Sequence, residues 1–186
     1  MKCLMIKPDM DYDELAATIY EQNKAVGWWD DPNRCLYECL QLVSTEVAEA
    51  TEAERKNLMD DHLPDRKGGE VELADAMIRV LDLGGRLGLK YETHAAPSPL
   101  FEGGSVGALH LTINSDLIAL ANSLRPSVIQ ARTAPRYWSA LLDTIAAVAI
   151  ALGYDLAGAM AEKLEYNKQR ADHKRDARAQ ANGKRF

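Results

Sequence analysis

The sequence predicts an all-α protein, most simply a helical bundle. Three observations lead there. Apolar residues recur at three- and four-residue spacings in most segments. Alternation with period 2, the mark of a half-buried strand, persists nowhere. Residues that start and stop helices bracket the apolar runs. At 186 residues, 47% hydrophobic and 27% charged, the chain is long enough for one well-buried core, so a single domain over 1–186 is expected.

The elements follow in order. Asp11 and Glu14 stand three apart like a capping box, and Leu15 and Ile19 follow at helical spacing, so a first helix is predicted from about Tyr12 to Lys24, ending near Gly27. Trp28, Trp29, Asp30, Asp31 and Pro32 form a loop. Leu36, Leu40, Val43, Val47 and Ala50 then trace one continuous apolar stripe, with Glu46 and Glu49 just beside it. A polar stretch from Asp60 to Gly69, containing Pro64, breaks the pattern. The next helix packs through Leu73, Met77, Val80, Leu81, Gly84 and Leu87, and groups Glu72, Asp75, Arg79 and Asp82 on an adjoining face.

From about Thr93 to Thr112 the residues Pro97, Pro99, Gly103, Gly104 and Gly107 predict a long connection. Helical spacing resumes with Leu117, Leu120, Ala121 and Leu124 and stops at Pro126. Another helix is predicted from about Arg136 to Leu152, with Gly153 as its stop. Asp155 caps a last helix whose Leu156, Met160 and Leu164 face inward, through about Gln169 or beyond. Leu87-Gly88 and Leu152-Gly153 close their helices alike. Aligning those glycines puts Tyr137 and Ala140 where Glu72 and Asp75 stand, a degenerate echo without the acids.

Those acids carry the chemistry. Glu46-x-x-Glu49 and Glu72-x-x-Asp75 are i, i+3 pairs, each on one helix face. Packed together, two such helices aim four carboxylates at one spot, and that much charge is not buried bare. A hard divalent cation resolves the conflict, because Mg²⁺ takes carboxylate oxygens and shares its other positions with water and substrate phosphates. Taken singly, an acidic pair is more often a solvated face. Lys163, Asn167 and Arg170, at i, i+4 and i+7, place an ammonium, an amide and a guanidinium in one row suited to phosphate oxygens. Arg79 has two readings, an ion pair with Asp75 four residues earlier or a substrate contact. Of the adjacent Trp28 and Trp29, one is expected in the core and the other stacked on a base.

Charge and cysteines bound the class. The net charge is −6, yet from Met160 onward there are eight basic residues and four acids. Acidity overall argues against coating nucleic acid, while a local basic segment with the tail 171–186 suits a polyphosphate. Cys3, Cys35 and Cys39 form no metal or redox motif and read as reduced thiols, and His62, His94, His110 and His173 show no ligand spacing. No secretory signal and no apolar span near 20 residues is read, so a cytoplasmic location is expected.

Four segments together resemble a known family. Gly27-Trp28-Trp29-Asp30-Asp31-Pro32, Ser44 to Ala50, Glu72 to Asp82 and Glu162 to Asn167 are similar to the all-α nucleoside triphosphate pyrophosphohydrolases of the MazG-like group, of the phage and actinobacterial type. The resemblance covers about Ala25–Glu92 and Gly153–Phe186. It implies hydrolysis of a (d)NTP between the α- and β-phosphates with Mg²⁺, or Mn²⁺ in its place. It puts Glu46, Glu49, Glu72 and Asp75 at the metal and Lys163, Asn167 and Arg170 at the substrate; the hydrolysis itself then asks one of the acids, Glu46 or Glu49, to accept the water proton. Family members run almost directly from the second acidic helix to the Lys-Asn helix. Residues 93–152 are therefore an insertion or pseudo-repeat, expected to pack on the catalytic helices and leave a homodimer. Two other readings stand beside this one: a non-enzymatic helical interaction module with a basic C-terminus, and a pyrophosphohydrolase acting on a related nucleotide such as phosphoribosyl-ATP.

Overall fold

The structure, a computed structural model, describes residues 10–93, 99–100, 104–125 and 132–170. The basic tail 171–186, Cys3, Pro97 and Pro126 lie outside them. Among the described residues there are six helices and no strand: α1 (Tyr12–Ala25), α2 (Leu36–Lys56), α3 (Gly68–Leu87), α4 (Val106–Ser123), α5 (Ala134–Leu152) and α6 (Leu156–Gln169). The all-α expectation holds. No single described helix is long and apolar enough to cross a membrane.

Local chemistry sets the helix ends. Asp11 accepts from the Glu14 amide at 3.0 Å, Ser105 from Ala108 at 3.2 Å and Asp155 from Gly158 at 3.0 Å, each satisfying an amide that has no intrahelical partner. Gly88 and Gly153 stop α3 and α5 in the left-handed conformation, with φ of 63° and 74°. One boundary differs from expectation. The connection predicted to reach Thr112 ends at Ser105, because the serine cap and the stripe Leu109, Ile113, Leu117 and Leu120 start α4 despite Gly107.

α3 is the hub, packing against α1, α2, α5 and α6, while α4 lies across α2 and α5. Its Val71, Leu73, Met77, Val80 and Leu81 have no exposed surface, and each such side chain contributes roughly 1.5–3 kcal/mol by leaving water. One apolar cluster runs through all six helices, with Ile19, Val43, Met77, Ile113, Trp138 and Met160 among its members. The two described helices of the segment 93–152, α4 and α5, therefore join the main core. Trp138 of α5 is fully buried and donates its Nε1–H to the Val80 carbonyl of α3 at 2.9 Å. α4 is fixed to α2 by polar contacts, His110 Nδ1 with Thr51 Oγ1 at 2.7 Å and Ser44 donating to Asn114 at 3.3 Å.

The α2–α3 connection is built rather than slack. Met59 and Lys67 form a β-bridge across it, and Asp60 accepts from the amides of His62 and Leu63 at 2.9 and 2.7 Å. Arg66 then reaches α6, with a two-pronged contact to Glu162 at 2.9 and 2.8 Å and further bonds to Asp155 and Glu70. This clamp fixes the start of α6 against α3 and so decides where Lys163, next to Glu162, points.

The last turn of α3 is where a small residue is needed. A Cβ on Gly84 would meet the indole of Trp138, and one on Gly85 would meet the backbone carbonyl of Ala16. Gly84→Ala is expected to cost about 1–3 kcal/mol by overpacking. At roughly 2–4 °C per kcal/mol for a chain of this size, a calorimetric midpoint unchanged from wild type would show that the contact is not close-packed.

Candidate metal centre

Glu46 on α2 and Glu72 and Asp75 on α3 each offer a carboxylate oxygen within 4.8 Å of the others. Glu46 is buried, at 6% exposure, and the two α3 acids are half-buried. The apolar stripe of α2 turns Glu46 toward α3, and the i, i+3 spacing of Glu72 and Asp75 brings both to that side. Glu49 departs from expectation: it is exposed and stands outside this group. On α2 the residue three beyond Glu46 falls about 60° short of a full turn from it, and this offset leaves Glu49 exposed. Three of the four predicted acids converge.

Two protein cations hold the cluster. Arg79 donates Nε–H to Glu46 Oε1 at 2.5 Å, and Lys163 places Nζ 2.9 Å from Asp75 Oδ2. Of the two roles read for Arg79, the ion pair is present, with Glu46 across the helix seam rather than with Asp75. Lys163 is 4% exposed. Burial alone would lower its pKa, but the charges and hydrogen bond of Asp75, aided by Asp60 and Glu72, leave it raised. Burial pushes Glu72 up to about 8, with the charges of Asp75 and Glu46 adding to the rise. Asp75 is likewise raised, chiefly by burial and against the pull of Lys163.

A cleft continues from the acids along α3. Its walls include Asn23, Trp28, Trp29, Arg34, Asp75, Arg79, Asp82 and Asn167, and it encloses about 90 Å³. Glu72, Asp75, Arg79 and Asp82 advance by three, four and three residues, so α3 spans about 15 Å from one end of this row to the other. At the far end Trp29 donates Nε1–H to Asp82 Oδ1 at 3.0 Å. Burial raises Asp82 to about 6 in spite of hydrogen bonds from Trp29 and Asn23. Arg34 lies over both indoles, 5.1 Å from the Trp28 ring centre and 5.2 Å from that of Trp29, and donates to the Trp28 carbonyl. Trp29 packs against the core, as expected of one of the pair, and both indoles line the cleft.

The row predicted on α6 is shorter than its spacing implied. Lys163 and Asn167 face the acids and the cleft, but α6 ends at Gln169. Arg170, with extended backbone at φ −66° and ψ 122°, leaves the helical register and lies 5.8 Å from the Tyr166 ring centre instead. Asn167 Oδ1 is buried with no hydrogen-bond partner among the described residues. Sequence reasoning passed over Asn23, Arg34 and Asp60. Arg34 sits between helices with no periodic neighbour, and only its closeness to the Trp-Trp pair signals a role.

With the fold and site in view, no protein-family model, curated protein or solved structure matches the chain. The donor set itself consists of hard carboxylate oxygens at the edge of a cleft, with cations at its margin, and fits a hard divalent cation.

The raised Glu72 makes a pH prediction for the metal-free protein. The folded state holds this proton up to about 8, whereas an unfolded glutamate releases it near 4.5, so its contribution is complete below 4.5 and lost as pH rises through 8. Glu72→Gln removes the loss. In EDTA the variant should melt higher than wild type at pH 8.5, by on the order of 1 kcal/mol after solvent screening, and the gap should close toward pH 4.5. Parallel melting curves across that range would contradict the assignment.

Proposed function

We propose that this chain is a Mg²⁺-dependent nucleoside triphosphate pyrophosphohydrolase, cleaving a (deoxy)nucleoside triphosphate between the α- and β-phosphates to the monophosphate and pyrophosphate. The observation that carries the reading is the meeting of Glu46, Glu72 and Asp75 from two helices, with Lys163 and Arg79 beside them. A solvated acidic face has no reason to gather carboxylates from separate helices into a buried seam. A helical interaction module therefore accounts for the charges less well.

Glu46, Glu72 and Asp75 would hold Mg²⁺ or Mn²⁺, with Glu49, exposed one turn along α2, at the rim of the site. The ion would neutralise phosphate charge, orient water and stabilise the leaving pyrophosphate. The reaction balances simply: a water oxygen bonds to phosphorus, the bridging P–O bond breaks, and Glu46 or Glu49 takes the water proton. Lys163, Asn167 and Arg79 face the polyphosphate, while Arg170 at the end of α6 steadies it from farther out. Trp28 or Trp29 stacks on the base, a contact worth about 1–3 kcal/mol in nucleic-acid binders. The cleft encloses far less than the roughly 300–1,000 Å³ of a pocket that surrounds a whole ligand, so a nucleotide would be gripped at one end and left open at the other. The biological setting in this reading is control or cleansing of the cytoplasmic nucleotide pool by a homodimer, the latter checked by light scattering.

A panel of NTPs and dNTPs, with phosphoribosyl-ATP included, assayed for pyrophosphate release tests the proposal and names the substrate. Activity should require Mg²⁺ or Mn²⁺ and vanish in EDTA. Glu72→Gln, Asp75→Asn and Glu46→Gln should each lower kcat at least about 100-fold. Glu49→Gln, removing an exposed acid, should cost less than Glu46→Gln. Pyrophosphate release that persists in EDTA, or in Asp75→Asn at the wild-type rate, would end the reading.

A further inference from the structure

Each of the two cations at the acidic cluster is in contact with a carboxylate that would hold the metal ion. Lys163 Nζ lies 2.9 Å from Asp75 Oδ2, and Arg79 Nε lies 2.5 Å from Glu46 Oε1. An ammonium or guanidinium in hydrogen-bond contact with a carboxylate repels a divalent ion on the same group, since the charges would stand within about 4 Å at reduced dielectric. Lys163 cannot leave for nothing, because a buried charge without a partner is costly.

The surroundings supply somewhere to go. Asn167 stands one helical turn beyond Lys163 on α6, lines the cleft, and has a buried Oδ1 with no hydrogen-bond partner among the described residues. An acceptor one turn along the same helix face is within reach of a lysine on its four-carbon stem. Arg79 is itself a wall of the cleft and its side chain is 35% exposed, so rotation about its own side-chain bonds would carry its guanidinium from Glu46 into the open space. Both places lie where a polyphosphate bound to the cluster would extend.

We propose that Lys163 and Arg79 are exchangeable counter-ions: they neutralise Asp75 and Glu46 until a divalent cation takes the carboxylates, and are then handed to the phosphates of the nucleotide. The inference rests on the metal-centre reading above. Its consequence is positive coupling. The metal frees the two cations that the nucleotide needs, the nucleotide holds them away from the acids that the metal needs, and by linkage each raises the affinity of the other by the same factor.

Binding of Mn²⁺ to the full chain, followed through the electron paramagnetic resonance signal of the free aquo ion, tests this without turnover. It is measured with and without an α,β-methylene deoxynucleoside triphosphate, correcting for Mn²⁺ held by the analogue alone. Wild type should bind Mn²⁺ at least tenfold more tightly with the analogue present. Lys163→Gln should bind Mn²⁺ alone several-fold more tightly than wild type, and its gain from the analogue should fall below threefold. Arg79→Gln should shift the same way. Circular dichroism and a thermal melt establish that each variant is folded, and if Lys163→Gln is not, Arg79→Gln, at a more exposed side chain, decides. Variants that bind Mn²⁺ alone no more tightly than wild type overturn the exchange while leaving the metal centre standing. A wild-type chain that binds no Mn²⁺ under either condition removes both.

Discussion

Carboxylates from two helices meet in a seam that is otherwise apolar, and the structure must reconcile that with the burial of α3. This helix touches α1, α2, α5 and α6, so little of its circumference is free to be polar. Glu72, Asp75, Arg79 and Asp82 share what remains. The mutual repulsion of Glu46, Glu72 and Asp75 is relieved by one cation from α3 itself and one from α6. Burial also raises the pKa of Glu72 and of Asp75, which disfavours their charged forms. The position of α6, and through it the Arg66 clamp, serves the same electrostatic end.

The polar line on α3 also orders the cleft. The acid end is rich in charge and close to Lys163, whereas two turns away Asp82 accepts from the Trp29 indole and Arg34 spreads over both tryptophans. A ligand with a highly charged end and a planar end matches that order along one axis. The spacing of the two ends is a property of helix rise and therefore rigid, while the Trp-Trp loop that faces it is held by side-chain contacts.

Periodicity carried most of the fold. The stripes of α2 and α3 and the caps at Asp11 and Asp155 are legible because helix geometry writes itself into spacing. α4 was partly hidden because its first turns contain Gly107 and follow a Pro- and Gly-rich stretch, so composition outweighed the serine cap. At the site, spacing placed Glu72 and Asp75 together but could not tell that Glu46 turns inward and Glu49 outward, since both border the stripe and only the crossing of α2 on α3 separates them. Arg170 was misplaced for a related reason: a row at i, i+4, i+7 presumes a helix that lasts, and α6 stops one residue short. The pairing of Arg79 with Glu46 and the bracing of the tryptophans by Arg34 join distant or irregular segments and leave no periodic trace.

The close approach at Gly84 and Gly85 bears on local stability. A final turn built from two glycines and ended by a third would fray in an isolated helix, because glycine gives up more backbone freedom on ordering than any other residue. Here the Trp138 indole on one side and the backbone of Ala16 on the other enclose that turn. Asp82, the acceptor for Trp29, sits just before it. Trp138 of α5 thus helps to secure the indole end of the cleft. Loosening α5 would be felt there first, as faster amide exchange through the last turn of α3, while the first turns that carry Glu72 and Asp75 stay protected by α2 and α6.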